Sequence, residues 1–188
     1  MHELYGLCDA ATLARRNIAI ERFVAICNEH NAAIIQYRDK ISDDDTIKEN
    51  LLRIKRHFNG ILIVNDRIDA VAFCDGLHLG QEDLAAIDED SARAVMKVRD
   101  RIGADKMLGI STHDAAEIER ANALELDYIG LGAYRATSTK QVENILGDRL
   151  DKLAALATHK VAAIGGVRLE DRFEHVRYLV IGSGLLED

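Results

Sequence analysis

The chain has 188 residues, 48% of them hydrophobic and 30% charged, with 24 basic against 32 acidic side chains for a formal net charge of −8. That length suits one domain over residues 1–188 with a substantial core, and the charge excludes a general nucleic-acid binder, which needs a basic stripe. No apolar run approaches the roughly 20 residues of a membrane span, no secretory pattern opens the chain, and Cys8, Cys27 and Cys74 are odd in number and lie in apolar stretches. The expectation is a cytoplasmic protein with reduced core thiols, without a disulfide frame or zinc site.

Along the chain, short apolar runs alternate with longer stretches of helical periodicity. Strands are predicted at Leu4–Cys8, Ala33–Tyr37, Ile61–Val64, Gly76–Leu79, Met107–Ile110, Tyr128–Leu131, Val161–Ile164 and Tyr178–Ile181. Most are continuous apolar runs, as expected where helices cover both faces or a barrel closes. Helices are predicted over Thr12–Asn28, Thr46–Phe58, Ser91–Arg101, Ala115–Leu124 and Leu150–Thr158, with a shorter one over Ile68–Phe73. Eight strands alternating with helices predict a compact α/β protein of the (β/α)8, or TIM barrel, class, with function on the loops after the strands. About 200 residues is the usual lower size for that fold. Only seven residues follow the eighth strand, so a truncated final helix is expected.

The strand ends carry the candidate chemistry. After the second strand, alternation puts Gln36, Arg38 and Lys40 on one side, an amide with two cations suited to clamping a diphosphate. The third strand closes on Asn65 and Asp66, and the fourth on Gln81, Glu82 and Asp83. Two carboxylates at adjacent strand ends suit Mg²⁺ completed by phosphate oxygens, although Asp is also a common helix cap. The fifth strand ends in Ser111, Thr112, His113 and Asp114. His113 has the right pKa range for acid–base work, but a lone histidine here reads better as a polar residue at a helix start. Residues 132–140, GAYRATSTK, form a hydroxyl-rich loop ending in a cation, of the kind that folds over a phosphate. Gly165-Gly166 and Gly182-Ser183-Gly184 end the last two strands, where barrels commonly bind phosphate through backbone N–H groups. His78, inside a strand, reads as a satisfied core or rim residue.

Taken in order, QYRDK, VNDR, GLHLGQED, GISTHD, TSTK, IGG and IGSG resemble the thiamine-phosphate synthase family across nearly the whole chain. The resemblance implies a barrel enzyme of thiamine biosynthesis, a transferase joining hydroxymethylpyrimidine diphosphate to thiazole phosphate with release of pyrophosphate. By motif, Gln36, Arg38, Lys40, Asn65, Ser111 and Lys140 would bind the pyrimidine diphosphate. Arg38, Lys40, Lys140 and Ser111 would act in catalysis, Asp66 and Asp83 would hold Mg²⁺, and Thr137, Thr139, Gly166, Gly182 and Ser183 would cradle the thiazole phosphate. The implied partners are small molecules, with neither nucleic acid nor membrane, and self-association into a homo-oligomer is left open. Two features depart from the family pattern: Ala133 and Ala136 stand where prolines are usual, and Arg135 replaces an aromatic residue. The alternatives are an isomerase like the related thiazole tautomerases, which match at His113, or a non-catalytic phosphate-binding protein of the same pathway.

Overall fold

A computed structural model describes residues 2–136 and 145–187. Eight strands close a barrel in chain order: β1 (Glu3–Asp9), β2 (Ile34–Arg38), β3 (Ile61–Asn65), β4 (Gly76–Leu79), β5 (Met107–Thr112), β6 (Tyr128–Gly132), β7 (Lys160–Ile164) and β8 (Tyr178–Ile181). Every neighbouring pair is parallel, and β8 returns to β1 with Glu3 opposite Tyr178. The predicted barrel and all eight strands are therefore present, most of them longer than predicted by a residue or two.

Alternation along the strands makes two separate cores. Outward residues such as Ile35, Tyr37, Leu62, Val64, Leu77, Leu108, Ile110, Ile129 and Leu131 pack with helix residues Phe23, Leu51, Val98 and Ile118. Inward residues Tyr5, Leu7, Ile34, Ile63, Tyr128, Ala162, Tyr178 and Val180 form a second cluster containing no helix residue. By the same period of two, Gln36, Arg38, Asn65, His78 and Ser111 face inward above that cluster. Three tyrosines would overfill a small barrel, and glycine makes room for them. A Cβ on Gly109 would lie 2.2 Å from the Tyr128 ring.

The helices depart from prediction in two places. The expected helix Thr12–Asn28 is two, α1 (Ala10–Arg16) and α2 (Ile20–Glu29). Asn17 ends the first in the left-handed region (φ 52°, ψ 43°), a conformation Asn tolerates well. The stretch Gln81–Ile87, read as a polar loop end, is a helix, α4. The remaining helices are α3 (Asp44–His57), α5 (Ser91–Ile102), α6 (Ala115–Asn122) and α7 (Arg149–Ala154). A 3-10 helix at Ile68–Phe73 joins β3 to β4, and another at Ser183–Leu186 stands in place of a full final helix. No described helix is long and apolar enough to cross a membrane. All three cysteines are free and buried, and burial raises each thiol's pKa, that of Cys27 to about 12.

Candidate active site

The carboxyl ends of β1, β2 and β3 bring two ion pairs to one rim. Asp9 ends β1 directly opposite Arg38 in the strand register. Its Oδ2 accepts from Arg38 Nη1 at 2.5 Å, while Oδ1 accepts from the Thr12 backbone N–H and hydroxyl, capping α1. Lys40 pairs with Asp66. Asp66 sits at φ 61°, a left-handed conformation that costs a non-glycine residue about 1–3 kcal/mol and gathers at functional sites. Its N–H donates to the His78 carbonyl at 2.9 Å, which ties it to β4. The helix-cap reading fails for Asp66, because the 3-10 helix that follows has Arg67 at its N-cap and no side-chain cap bond.

Asp83 lies in the first turn of α4, where its Oδ2 accepts from the Gly80 N–H at 3.2 Å. The capping role is thus real at Asp83, and it occupies one oxygen. Among the described residues, no three His, Cys, Asp or Glu side chains converge into a self-sufficient metal cage. Two carboxylates at neighbouring strand ends fit Mg²⁺ only if substrate oxygens and water complete the shell, the usual habit of that ion.

Beneath the rim, buried polar groups form one chain across the barrel. Gln36 Nε2 donates to Tyr5 Oη (2.6 Å), and Tyr5 Oη meets Tyr128 Oη (2.9 Å). Tyr128 Oη meets His78 Nδ1 (2.8 Å), and His78 Nε2 meets Ser111 Oγ (3.0 Å). Gln81 Nε2 donates to the Ser111 carbonyl, clamping α4 to β5. Burial holds both tyrosines protonated and pushes His78 down to about 4, against a small opposing pull from Asp83. His78 is therefore the satisfied interior residue the sequence predicts, and it is neutral at physiological pH.

The sign of that shift gives a stability test. The unfolded chain binds the proton with the ordinary pKa of 6.5 and the folded chain only near 4. Between those values the unfolded state holds more protons, so stability rises with pH across the window. Acidification from 6.5 to 4 costs up to about 3 kcal/mol from this group. His78→Gln is expected to remove that contribution, read as a flatter dependence of urea-unfolding free energy on pH than the parent shows. Parallel curves for parent and variant would reject the assignment.

Ser111, Gly166, Gly182 and Ser183 all lie at carboxyl ends of strands, as predicted. Gly166 (φ 63°) closes against the β6 loop, where a Cβ would lie 2.7 Å from Arg135 Cβ. Arg135, its side chain 41% exposed, is anchored in the loop. It forks onto both carboxylate oxygens of Asp171 at 2.7 Å, donates to the Gly166 carbonyl and lies over the Tyr134 ring. The Arg135 bonds hold the Asp171 carboxyl below its ordinary pKa. His113 donates its backbone N–H to Glu117 and places Nδ1 on the same oxygen, at the start of α6 capped by Asp114. Thr137, Thr139 and Lys140 lie outside the described residues. Sequence alone marks no role for Asp9, Tyr5 or Tyr128, and marks Gln81 only as a strand-end residue. Asp9 carries the same signal as Asp66, a carboxylate closing an apolar strand, and the tyrosines share the inward register of Gln36.

The chain is similar to known proteins of one family. A family model described as thiamine monophosphate synthase matches residues 4–180. The thiamine-phosphate synthase of Lawsonia intracellularis is 31% identical over 183 residues, covering 94% of this chain and 79% of that protein. That of Persephonella marina is 36% identical over 172 residues, covering 87% and 76%. Among solved structures, a thiamine phosphate pyrophosphorylase from Pyrococcus furiosus superposes with a TM-score of 0.73 over 96% of this chain and 85% of its own, at 23% identity.

Proposed function

Because the chain belongs to the thiamine monophosphate synthase family, we propose that it joins hydroxymethylpyrimidine diphosphate to thiazole phosphate, releasing pyrophosphate and forming thiamine phosphate. The observation that carries this reading is the rim built by β1 to β4. There an inward amide, two cations and the carboxylates of Asp9, Asp66 and Asp83 stand above a neutral polar floor.

The chemistry asks for little beyond that. The bond from the pyrimidine methylene to the diphosphate oxygen breaks, and the thiazole nitrogen forms the new bond to the methylene carbon. No protein nucleophile is needed, and the three buried, protonated thiols are unsuited to serve as one. Arg38 and Lys40 would bind the diphosphate and offset charge growing on the departing oxygens. Each is already held by a carboxylate, so diphosphate binding is an exchange of partners. Ser111 would donate to the diphosphate and Gln36 would orient the ring. Alignment of two substrates supplies much of the rate. Asp66 and Asp83 would hold Mg²⁺, which when bound neutralises diphosphate charge. The strand-end glycines Gly166 and Gly182, with Ser183, would leave backbone N–H groups open to the thiazole phosphate. Lys140, Thr137 and Thr139 keep the roles that the family motif assigns them.

For the isomerase alternative His113 would be the acid–base, with Glu117 on its Nδ1, so the product formed decides between the two readings. Purified protein given both substrates and Mg²⁺ is expected to form thiamine phosphate and pyrophosphate in equal amounts. Isomerisation of a thiazole substrate alone, with no coupled product, would reverse the reading.

A further inference from the structure

The polar chain beneath the rim can be wired in two directions. Gln36 places its Nε2 on Tyr5 Oη at 2.6 Å, so Tyr5 must accept there and has one proton left to give. Its other partner is Tyr128 Oη at 2.9 Å, where either oxygen can donate; with Tyr5 donating, Tyr128 gives its own proton to His78 Nδ1. With Nδ1 accepting, the neutral imidazole carries its proton on Nε2 and donates to Ser111 Oγ at 3.0 Å. In that wiring Ser111 receives a bond from below. Its own hydroxyl proton has no other acceptor among the described residues and is free for the barrel mouth.

We propose that Tyr5, Tyr128 and His78 are positioning residues: they form a one-way hydrogen-bond relay that commits Ser111 to donate toward the diphosphate. They act through Ser111 and Gln36 and need not touch the reacting atoms. The alternative wiring has physical consequences. If His78 carried its proton on Nδ1, Nε2 would be a lone pair aimed at Ser111. The serine would then donate downward and turn only oxygen lone pairs to an anionic ligand, which costs binding instead of supplying it. Packing reinforces the relay. The His78 and Tyr128 rings are stacked with centroids 5.5 Å apart, and Gly109 leaves Tyr128 the space to stand where it does. Gly130 would bring a Cβ to 3.2 Å from the His78 ring, so the imidazole has little freedom to turn away.

The inference rests on the synthase reading, and two measurements separate its failure from failure of that reading. Long-range ¹H–¹⁵N spectra of the unaltered full-length protein report which nitrogen of His78 is protonated, and they need no turnover. The expected result is the Nε2–H tautomer, and an Nδ1–H tautomer would overturn the relay even in an active enzyme. The second measurement is a double-mutant cycle on kcat/KM for the pyrimidine diphosphate. Ser111→Ala alone is expected to lose about 30-fold, the range of a hydrogen bond to a charged group. Tyr128→Phe keeps the ring in place but releases His78 to either tautomer, with an expected loss of about tenfold. Together the two are expected to cost no more than Ser111→Ala alone, because the relay has nothing to act on once the hydroxyl is gone. Fully multiplicative losses would show that Tyr128 acts only on the fold, and would overturn the relay.

Discussion

Asp83→Asn is expected to lower kcat by at least about 100-fold while moving unfolding free energy by no more than about 0.5 kcal/mol. The asymmetry follows from the cap the side chain makes and the metal it is proposed to hold. Its cap on the Gly80 N–H needs only an oxygen acceptor, and asparagine supplies one. Charge neutralisation of a bound cation needs the carboxylate, and asparagine does not supply it. Steady-state rates over a range of Mg²⁺ concentrations, beside urea melts of the same preparations, separate the two. If the variant turned over at the parent's rate, Asp83 would be a helix cap and nothing more. Asp66→Asn is the companion experiment without a cap to preserve, since the only described partner of that carboxylate is Lys40.

The second large effect falls on the fold. Gly109→Ala is expected to cost at least about 3 kcal/mol, the upper range for overpacking a core. The added methyl would lie 2.2 Å from carbons of the Tyr128 ring. Backbone on β5 cannot retreat without disturbing β4 and β6, which it bonds on both sides. The tyrosine cannot retreat without breaking its bonds to Tyr5 and His78. Thermal or urea unfolding measures the loss. A variant as stable as the parent would mean that the barrel interior is far looser than its packing implies.

The barrel was legible because its strands are buried on both faces and read as unbroken apolar runs bounded by polar ends. Gln36 and Arg38 were legible together because one strand's alternation determines their shared side, whereas Lys40 lies two residues beyond the end of β2 and pairs with Asp66. What escaped depends on contacts between distant strands. Tyr5 and Tyr128 are 123 residues apart, and their hydroxyl pairing exists only because the barrel brings β1 and β6 across one interior. The break at Asn17 escaped because apolar periodicity continues through it, and a single left-handed residue resets the helix without a proline or glycine to mark it. Helix α4 escaped because its first turn, Gln81 to Asp83, is polar and has the look of a loop. Arg135 illustrates a different blind spot: its partner Asp171 belongs to the segment between β7 and β8, which sequence periodicity says nothing about.

The pairing of cations at the rim also bears on how quickly substrate arrives. Arg38, Lys40 and Arg135 each sit against a carboxylate, so their fields cancel within a few ångströms. The chain as a whole repels anions, at −8. Long-range attraction therefore contributes little to the encounter with a phosphorylated molecule, and association should proceed in the ordinary range of about 10⁵–10⁷ M⁻¹s⁻¹ that docking geometry alone permits. On the proposed reading capture would be decided at contact, when the anion would displace Asp9 and Asp66 from their partners. An enzyme built this way collects an anionic ligand at an ordinary rate that added salt raises slightly, by screening the chain's net repulsion.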